Sequence, residues 1–256
     1  EIQPDIVILV NDAYTMHRWA GSALRDKFSL VMYSPVDSVP YHFKKVLFDA
    51  DYLVYYTEES RKAIGAELPY SIIPAGVDAD KYKPLPNRKE LRKKVFGDTD
   101  LALLFVGTNQ LRKQNWQLLE VVGRAVNGKY LLCDKCGVLP QSFHRRTTSA
   151  VLNGVLEFEG PDKCPFCGSE LTYGNKLDLK LWLHTPISNT LLSNEWNLPL
   201  LTKMYEADTA IFHNINYQSP SSSISEERLN ALYNAADVLF YITGGEGFGM
   251  PVLESA

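Results

Sequence analysis

Short apolar runs return along the chain: IVILV (6–10), LVMY (30–33), YLVYY (52–56), SII (71–73), LALLFVG (101–107), LKLWLH (179–184), TAIFH (209–213) and VLFYIT (238–243). None keeps the strict apolar–polar alternation of a strand with one wet face. Runs of this kind, rich in Val, Ile, Leu and Tyr and separated by helical stretches, predict strands buried on both faces, the condition of parallel sheets covered by helices. An α/β, doubly wound architecture follows. With 45% apolar and 22% charged side chains over 256 residues, the chain can build one large domain or two of ordinary size.

The texture changes between Pro74 and Gly97, where PAGVDADKYKPLPNRKELRKKVFG combines three prolines with a charged amphipathic stretch in which Glu90 precedes Lys94 by four residues. This reads as a linker leading into a surface helix, with a domain boundary near residue 86. The charged run is a solvated helix face rather than a binding patch. IVILV reads as a buried strand at the very start, and the last residues as the opening turns of a helix, so the scaffold is expected to be incomplete at both ends.

A second irregularity covers 129–176. A helix QNWQLLEVVGRAV should be followed, after a turn of roughly two to six residues, by the strand LKLWLH. Instead an insertion intervenes that holds all four cysteines: Cys133-x2-Cys136, then 27 residues, then Cys164-x2-Cys167. A C-x2-C pair sets two thiolates on one tight knuckle, and two such pairs supply the four sulfurs that tetrahedral zinc prefers. Gly137 and Gly168, each directly after a second cysteine, suit turns with positive φ. The competing readings are two disulfides or four unrelated core thiols; a chain without export features disfavours the first and the paired spacing the second. The zinc is read as structural, because four sulfurs leave no position open for water. His144, Arg145 and Arg146 lie in the insertion, but so do Asp134, Glu157, Glu159 and Asp162, so there is no basic stripe for nucleic acid. The insertion is either a module that contacts a partner or acceptor, or a passive stabilised loop.

The chain closes on GGEGFGMPVLESA (244–256). After the strand VLFYIT, so glycine-rich a turn followed by Pro251 at a helix start makes an anion-binding corner, with free amides and the positive end of the helix dipole toward the ligand. Diphosphate is the natural guest. Glu246 lies in the turn and Glu254 about one helical turn beyond it, so they do not form a close acid/base pair. They are placed to grip two ends of a longer ligand, such as the hydroxyls on either side of the diphosphate of a nucleotide sugar.

This closing run resembles the E-x7-E signature of the group 1 glycosyl transferases, retaining enzymes of the GT-B fold that use nucleotide-activated sugars. The resemblance extends to SIIPAGVDADKYKP, which is similar to the family's segment closing the N-terminal domain. It also takes in LLFVGTNQLRKQNWQLLEV, similar to the first C-terminal strand and phosphate loop, and SEERLNALYNAADVLFYIT, similar to the helix and strand before the signature. It implies two facing Rossmann-like domains, 1–86 on the acceptor side and 87–256 on the donor side, the latter interrupted by the cysteine insertion. Carried over by position, Glu246 contacts the donor sugar and Glu254 the ribose. The backbone around Gly245, Phe248, Gly249, Met250, Pro251 and Val252 lies against sugar and phosphates. Gly107 and Lys113 belong to the phosphate loop. The family usually has arginine directly after that glycine; here Thr108 stands there, with Arg112 as a candidate for the missing charge. YSPVDSVP lies where many members have a strand followed by a catalytic-cleft histidine; Asp37 is the nearest polar candidate, as in some relatives with a Pro-x-Asp turn, the alternative being a plain turn former. His17, His42, His184 and His213 have no partner visible in sequence and read as structural.

The implied reaction moves a sugar from a nucleoside-diphosphate donor to an acceptor hydroxyl with retention, without an obligate catalytic metal. Lys113, Glu246 and Asp37 are the expected catalytic groups. An epimerase or phosphorylase on the same scaffold, or an interaction protein with a decayed sugar site, are the alternatives. The net charge of −4 and pI near 5.8 argue against a protein that coats nucleic acid or anionic membrane. No apolar run approaches the roughly 18 to 20 residues of a membrane span, and the first residues lack a basic stretch followed by an apolar one. The chain is therefore read as cytoplasmic, with peripheral membrane contact left open.

Overall fold

The computed structural model describes residues 3–36, 38–138, 145–146, 158–159, 161–186, 195–213 and 224–256. Two compact units divide it: Glu1–Asp78 with Gly245–Leu253, and Ala79–Gly244 with Glu254–Ala256.

In the first unit β1 (Ile6–Val10), α1 (Ala13–Ala20), β2 (Ser29–Tyr33), α2 (Lys44–Leu47), β3 (Tyr52–Tyr55), α3 (Glu58–Ile64) and β4 (Tyr70–Ile72) alternate strictly. The strands form one parallel sheet in the order β1-β2-β3-β4. Alternate residues of β2 and β3, Leu30, Met32, Leu53 and Tyr55, meet Ala13, Met16 and Ala20 of α1, Leu47 of α2 and Ile64 of α3. In α1 these apolar residues are three and four apart, which puts them on one helical face. α3 starts where the Thr57 hydroxyl accepts from the Ser60 amide at 3.1 Å and stops at Gly65, whose φ of 67° suits a left-handed cap. Burial on both faces does not hold for β1: Ile6, Ile8 and Val10 are 59%, 64% and 61% exposed. This strand is a sheet edge, and the core the described helices form lies on the opposite face.

The second unit begins with α4 (Arg88–Phe96), β5 (Leu101–Val106), α5 (Asn115–Asn127), β6 (Leu131–Cys133), β7 (Gly137–Val138), β8 (Arg145–Arg146), β9 (Phe158–Glu159) and β10 (Thr172–Tyr173). It continues with β11 (Leu179–His184), α6 (Leu198–Met204), β12 (Ile211–His213), α7 (Glu226–Ala235) and β13 (Val238–Leu239); of the short α8 (Met250–Glu254) that follows, only Glu254 belongs to this unit. Residues 79–86 belong here because Asn230 and Asn234 of α7 bind their backbone: Asn234 Oδ1 accepts from the Leu85 amide at 2.7 Å, and both side chains donate to the Lys83 carbonyl.

The principal sheet is parallel, in the order β12-β11-β5-β13. β5 has the double burial its sequence predicts. Leu103 and Phe105 pack with α5 and α6, while Ala102, Leu104 and Val106 pack with α4 and α7. β13 is shorter than VLFYIT suggests: after the Phe240 amide donates to the Leu104 carbonyl at 2.7 Å, the chain leaves the ladder. Arg92 and Asp237 clamp α4 to the start of β13, and Asp237 Oδ2 also accepts from the Ala102 amide at 2.8 Å. The Arg92 guanidinium holds the Asp237 carboxyl below the usual carboxylate range. No helix among the described residues is long and apolar enough to cross a membrane.

Helix α5 approaches Tyr205, just beyond α6, so closely at Gly123 that an added Cβ would stand 1.9 Å from the Tyr205 carbonyl oxygen. Backbone, rather than a flexible side chain, occupies that space. Gly123→Ala is therefore expected to destabilise the second unit by about 1–3 kcal/mol, read as a lower urea midpoint, although alanine favours helix. An unchanged or raised midpoint would show that the contact is looser than described.

Candidate functional site

In the second unit's sheet, β11 and β12 lie to one side of β5 and β13 to the other, so the topology reverses at β5. In open α/β sheets ligands bind outside the carboxyl ends of the strands at such a reversal. The segment there is Gly107–Gln114. Its first amide, from Gly107, donates to the His184 carbonyl at the end of β11 at 3.2 Å. Leu111–Lys113 then form a single 3-10 turn, ended by Gln114 at a φ of 49°.

Two buried amide side chains hold this loop. Asn109 Nδ2 donates to the Trp196 carbonyl at 2.8 Å, and Asn109 Oδ1 accepts from Asn115 Nδ2 and the Trp196 amide, each at 3.2 Å. The Trp196 indole donates to the Leu111 carbonyl at 3.2 Å. On the opposite side, the Arg112 carbonyl accepts from the Gly244 amide at 2.7 Å and from the Thr243 hydroxyl. Within the second unit the loop after β5 is thus joined to Thr243 and Gly244, beyond β13.

Lys113, expected to bind phosphate, is only 6% exposed, and its Nζ stands 5.2 Å from the centroid of the Tyr241 ring. Burial of a lysine is costly without compensating contacts. The ring face supplies one of them. Arg112 is exposed instead, its Nε donating to Gln110 Oε1 at 3.1 Å. Thr108 is exposed and accepts from the Gln110 amide through its carbonyl. Among the histidines, His184 is buried, which pushes its pKa down, and the His17 ring bonds the Tyr14 carbonyl of its own helix at 2.7 Å. His42 is exposed and the His213 side chain lies outside the described residues, as does Asp37.

Gly245 and Glu246 are half-buried. Within the first unit, Gly247 has no room for a side chain: a Cβ there would stand 2.4 Å from Pro35 Cβ. The Phe248 ring lies 5.8 Å from that of Tyr56, and Gly249 is buried with a φ of 83°. α8 starts at Met250, so Pro251 occupies its first turn and Val252 closes that turn on the Gly249 carbonyl. In the second unit Glu254, the last residue of α8, accepts from the hydroxyl of Tyr233 at 2.7 Å through Oε2. Burial, then the Glu254 carboxylate, raise the Tyr233 pKa far above its ordinary value, so the phenol is a neutral donor throughout the physiological range.

The four cysteines converge. Their sulfurs all lie within 4.8 Å of one another, with Cys133 and Cys164 buried and Cys136 and Cys167 exposed. Cys133 sits at the end of β6, in an antiparallel sheet ordered β10-β6-β7. Both knuckles end as expected, Gly137 at a φ of 78° and Gly168 at 73°. The separation of 3.5 Å between the Cys133 and Cys167 sulfurs is near the roughly 3.8 Å edge of a tetrahedron with metal–sulfur bonds of about 2.3 Å. The donor set and its spacing therefore fit a tetrahedral metal ion. Hydrogen bonds from Ser169 pull Cys167 down to about 6, while the neighbouring sulfurs, Cys167 first, push Cys136 up to about 12. Four sulfurs this close lose their protons together only around a cation.

The cysteine segment is rooted firmly. Gly174 donates to the Tyr130 carbonyl, Tyr130 donates through its hydroxyl to the Asn175 carbonyl, and Leu177 donates to the Ala125 carbonyl of α5. Of the groups that build these sites, Asn109, Asn115, Trp196, Tyr233 and Tyr241 carry no sequence signal. Their roles depend on distant partners, Trp196 lying 87 residues from Asn109 and Tyr241 lying 128 from Lys113.

No protein-family model and no curated protein matches the sequence. Solved structures do. Sucrose-phosphate synthase from Thermosynechococcus elongatus superposes with a TM-score of 0.60 at 16% identity, over 98% of this chain and 53% of that one. A trehalose-6-phosphate protein from E. coli, bound with UDP-2-fluoro glucose, gives 0.60 at 12% identity, over 100% of this chain and 56% of that one. Anabaena HepE in complex with UDP gives 0.54 at 12% identity, over 93% and 53%. The chain spans about half the length of these structures. At such identities the likeness concerns architecture: the chain carries a partial GT-B fold, with a four-cysteine cluster in its second unit.

Proposed function

We propose that this chain is the donor-handling part of a retaining glycosyltransferase, which moves a sugar from a nucleoside-diphosphate sugar to an acceptor hydroxyl. The observation that carries the reading is Lys113, a nearly buried ammonium at the carboxyl end of β5, where the parallel sheet of a GT-B fold reverses its order. A nucleotide diphosphate is a chemically matched guest for a fixed cation beside a loop of backbone amides. Two of the similar structures contain UDP or UDP-2-fluoro glucose, which supports a nucleotide-sugar donor here.

The difficult step is departure of the diphosphate while positive charge develops on the sugar ring. Lys113 stabilises the leaving charge by preorganised electrostatics rather than proton transfer. Glu246 orients the donor sugar through its hydroxyls, Gly245 and the backbone from Phe248 to Val252 line the sugar and phosphates, and Glu254 accepts from the ribose. Gly107 and Thr108 border the diphosphate, and Arg112 adds charge at its rim. Asp37 is assigned to the acceptor side. None of these roles calls for a catalytic metal.

Cys133, Cys136, Cys164 and Cys167 hold one structural zinc. The four-sulfur set leaves no ligand position for water, and its role is to fix the ribbon that grows from α5. The exposed Val138, Phe166 and Tyr173 suit this segment to meet an acceptor or partner.

Lys113→Ala is expected to lower kcat/KM with the preferred donor by about 10²-fold, the order seen when one preorganised transition-state donor is removed. Glu254→Ala should weaken donor binding, and Glu246→Ala should lower turnover more than affinity. A thermal-shift panel of UDP-, GDP- and ADP-sugars identifies the donor, since selective binding raises the melting temperature by mass action. Wild-type activity in all three variants would remove the assignment.

Metal analysis of the purified protein should find one zinc per chain. Loading should fall as the pH drops toward 5, because protons compete for the thiolates. Well under one ion at neutral pH would exclude the zinc site.

A further inference from the structure

Glu254, at the end of the short α8, is held by a side chain of α7. Tyr233 lies on α7, a helix of ten residues packed against β5, and is itself only 8% exposed. The ring of Tyr82 meets it edge-on at 6.1 Å and 64°, which fixes the phenol laterally. From that position its hydroxyl reaches Glu254 Oε2 at 2.7 Å.

We propose that Tyr233 is a positioning residue for donor recognition: its buried hydroxyl holds one oxygen of Glu254 so that the other, Oε1, is presented to the ribose diol of the nucleotide. The inference rests on the reading of Glu254 as the ribose ligand. A carboxylate can accept at both oxygens, and one pinned by a phenol keeps its second oxygen in a defined direction. Preorganisation of this kind lowers the ordering cost paid on binding. It also sharpens discrimination, because a donor without the diol leaves a fixed carboxylate unmatched, whereas an unpinned one swings into water. Phenylalanine would keep the ring packing and lose only the pin.

The test measures, for wild type, Tyr233→Phe and Glu254→Gln, the dissociation constants of UDP, GDP and ADP and of their 2′,3′-dideoxy counterparts, with thermal melts as a folding control. For whichever diphosphate binds, wild type should prefer the ribose form by about tenfold or more, the scale set by an unmatched buried hydrogen-bonding group. Both variants should lose most of that preference. A hydroxyl that served only to anchor α8 would lower the melting temperature and leave the preference intact. If Glu254→Gln loses the preference and Tyr233→Phe keeps it, the positioning role is wrong while the ribose reading stands. If Glu254→Gln keeps it, or no diphosphate binds, the ribose reading fails and this inference with it.

Discussion

The second unit depends on β5 being apolar on both faces. Because Leu103 and Phe105 need one helical layer and Ala102, Leu104 and Val106 need another, the strand must lie inside a sheet with neighbours on either side. Once β11 takes one side and β13 the other, the topology reverses beside β5. The hydrophobic requirement of six consecutive residues thereby puts the polar loop 107–114 at that reversal. What fills it, Lys113 against Tyr241 with Arg112 bonded through its backbone to Gly244, is local chemistry built on that constraint.

The cysteine segment solves a different problem. Among its described residues the buried cluster is small: Leu131, Cys133 and Cys164, with Leu171 packed against them. A metal bound by four thiolates would add cohesion there. Its attachment is tight: Gly128 has a φ of 68° and stands with its would-be Cβ 2.8 Å from the Gly174 carbonyl, while Gly174 lies under the Tyr130 ring. Both glycines are there because backbone and ring approach too closely for any side chain.

Much of the fold is legible in the sequence because burial on two faces writes itself as unbroken apolar runs; β5 and β11 lie where LALLFVG and LKLWLH put them. The same property hides the edge at β1. IVILV is apolar throughout, so no residue marks Ile6, Ile8 and Val10 as the exposed face. It also hides the end of β13, since Phe240 and Ile242 stay apolar after the ladder stops, packing into the core instead. Cysteine spacing is a local geometric statement and needs no tertiary information. The clamp formed by Asn109, Asn115 and Trp196 is the opposite case, since nothing in Asn109 announces a partner 87 residues later. Tyr233 is invisible for a further reason: in ALYNAAD it reads as one more apolar helix position, and only the folded chain brings its hydroxyl against Glu254.

The central proposal is that a nucleoside diphosphate sits at the end of β5, against the loop 107–114. Hydrogen–deuterium exchange with and without saturating UDP, GDP or ADP tests it directly, whatever the sugar and the acceptor are. The account predicts slowed exchange in 107–114 and 243–254 for at least one of the three. Measured binding whose protection falls outside both segments would contradict it.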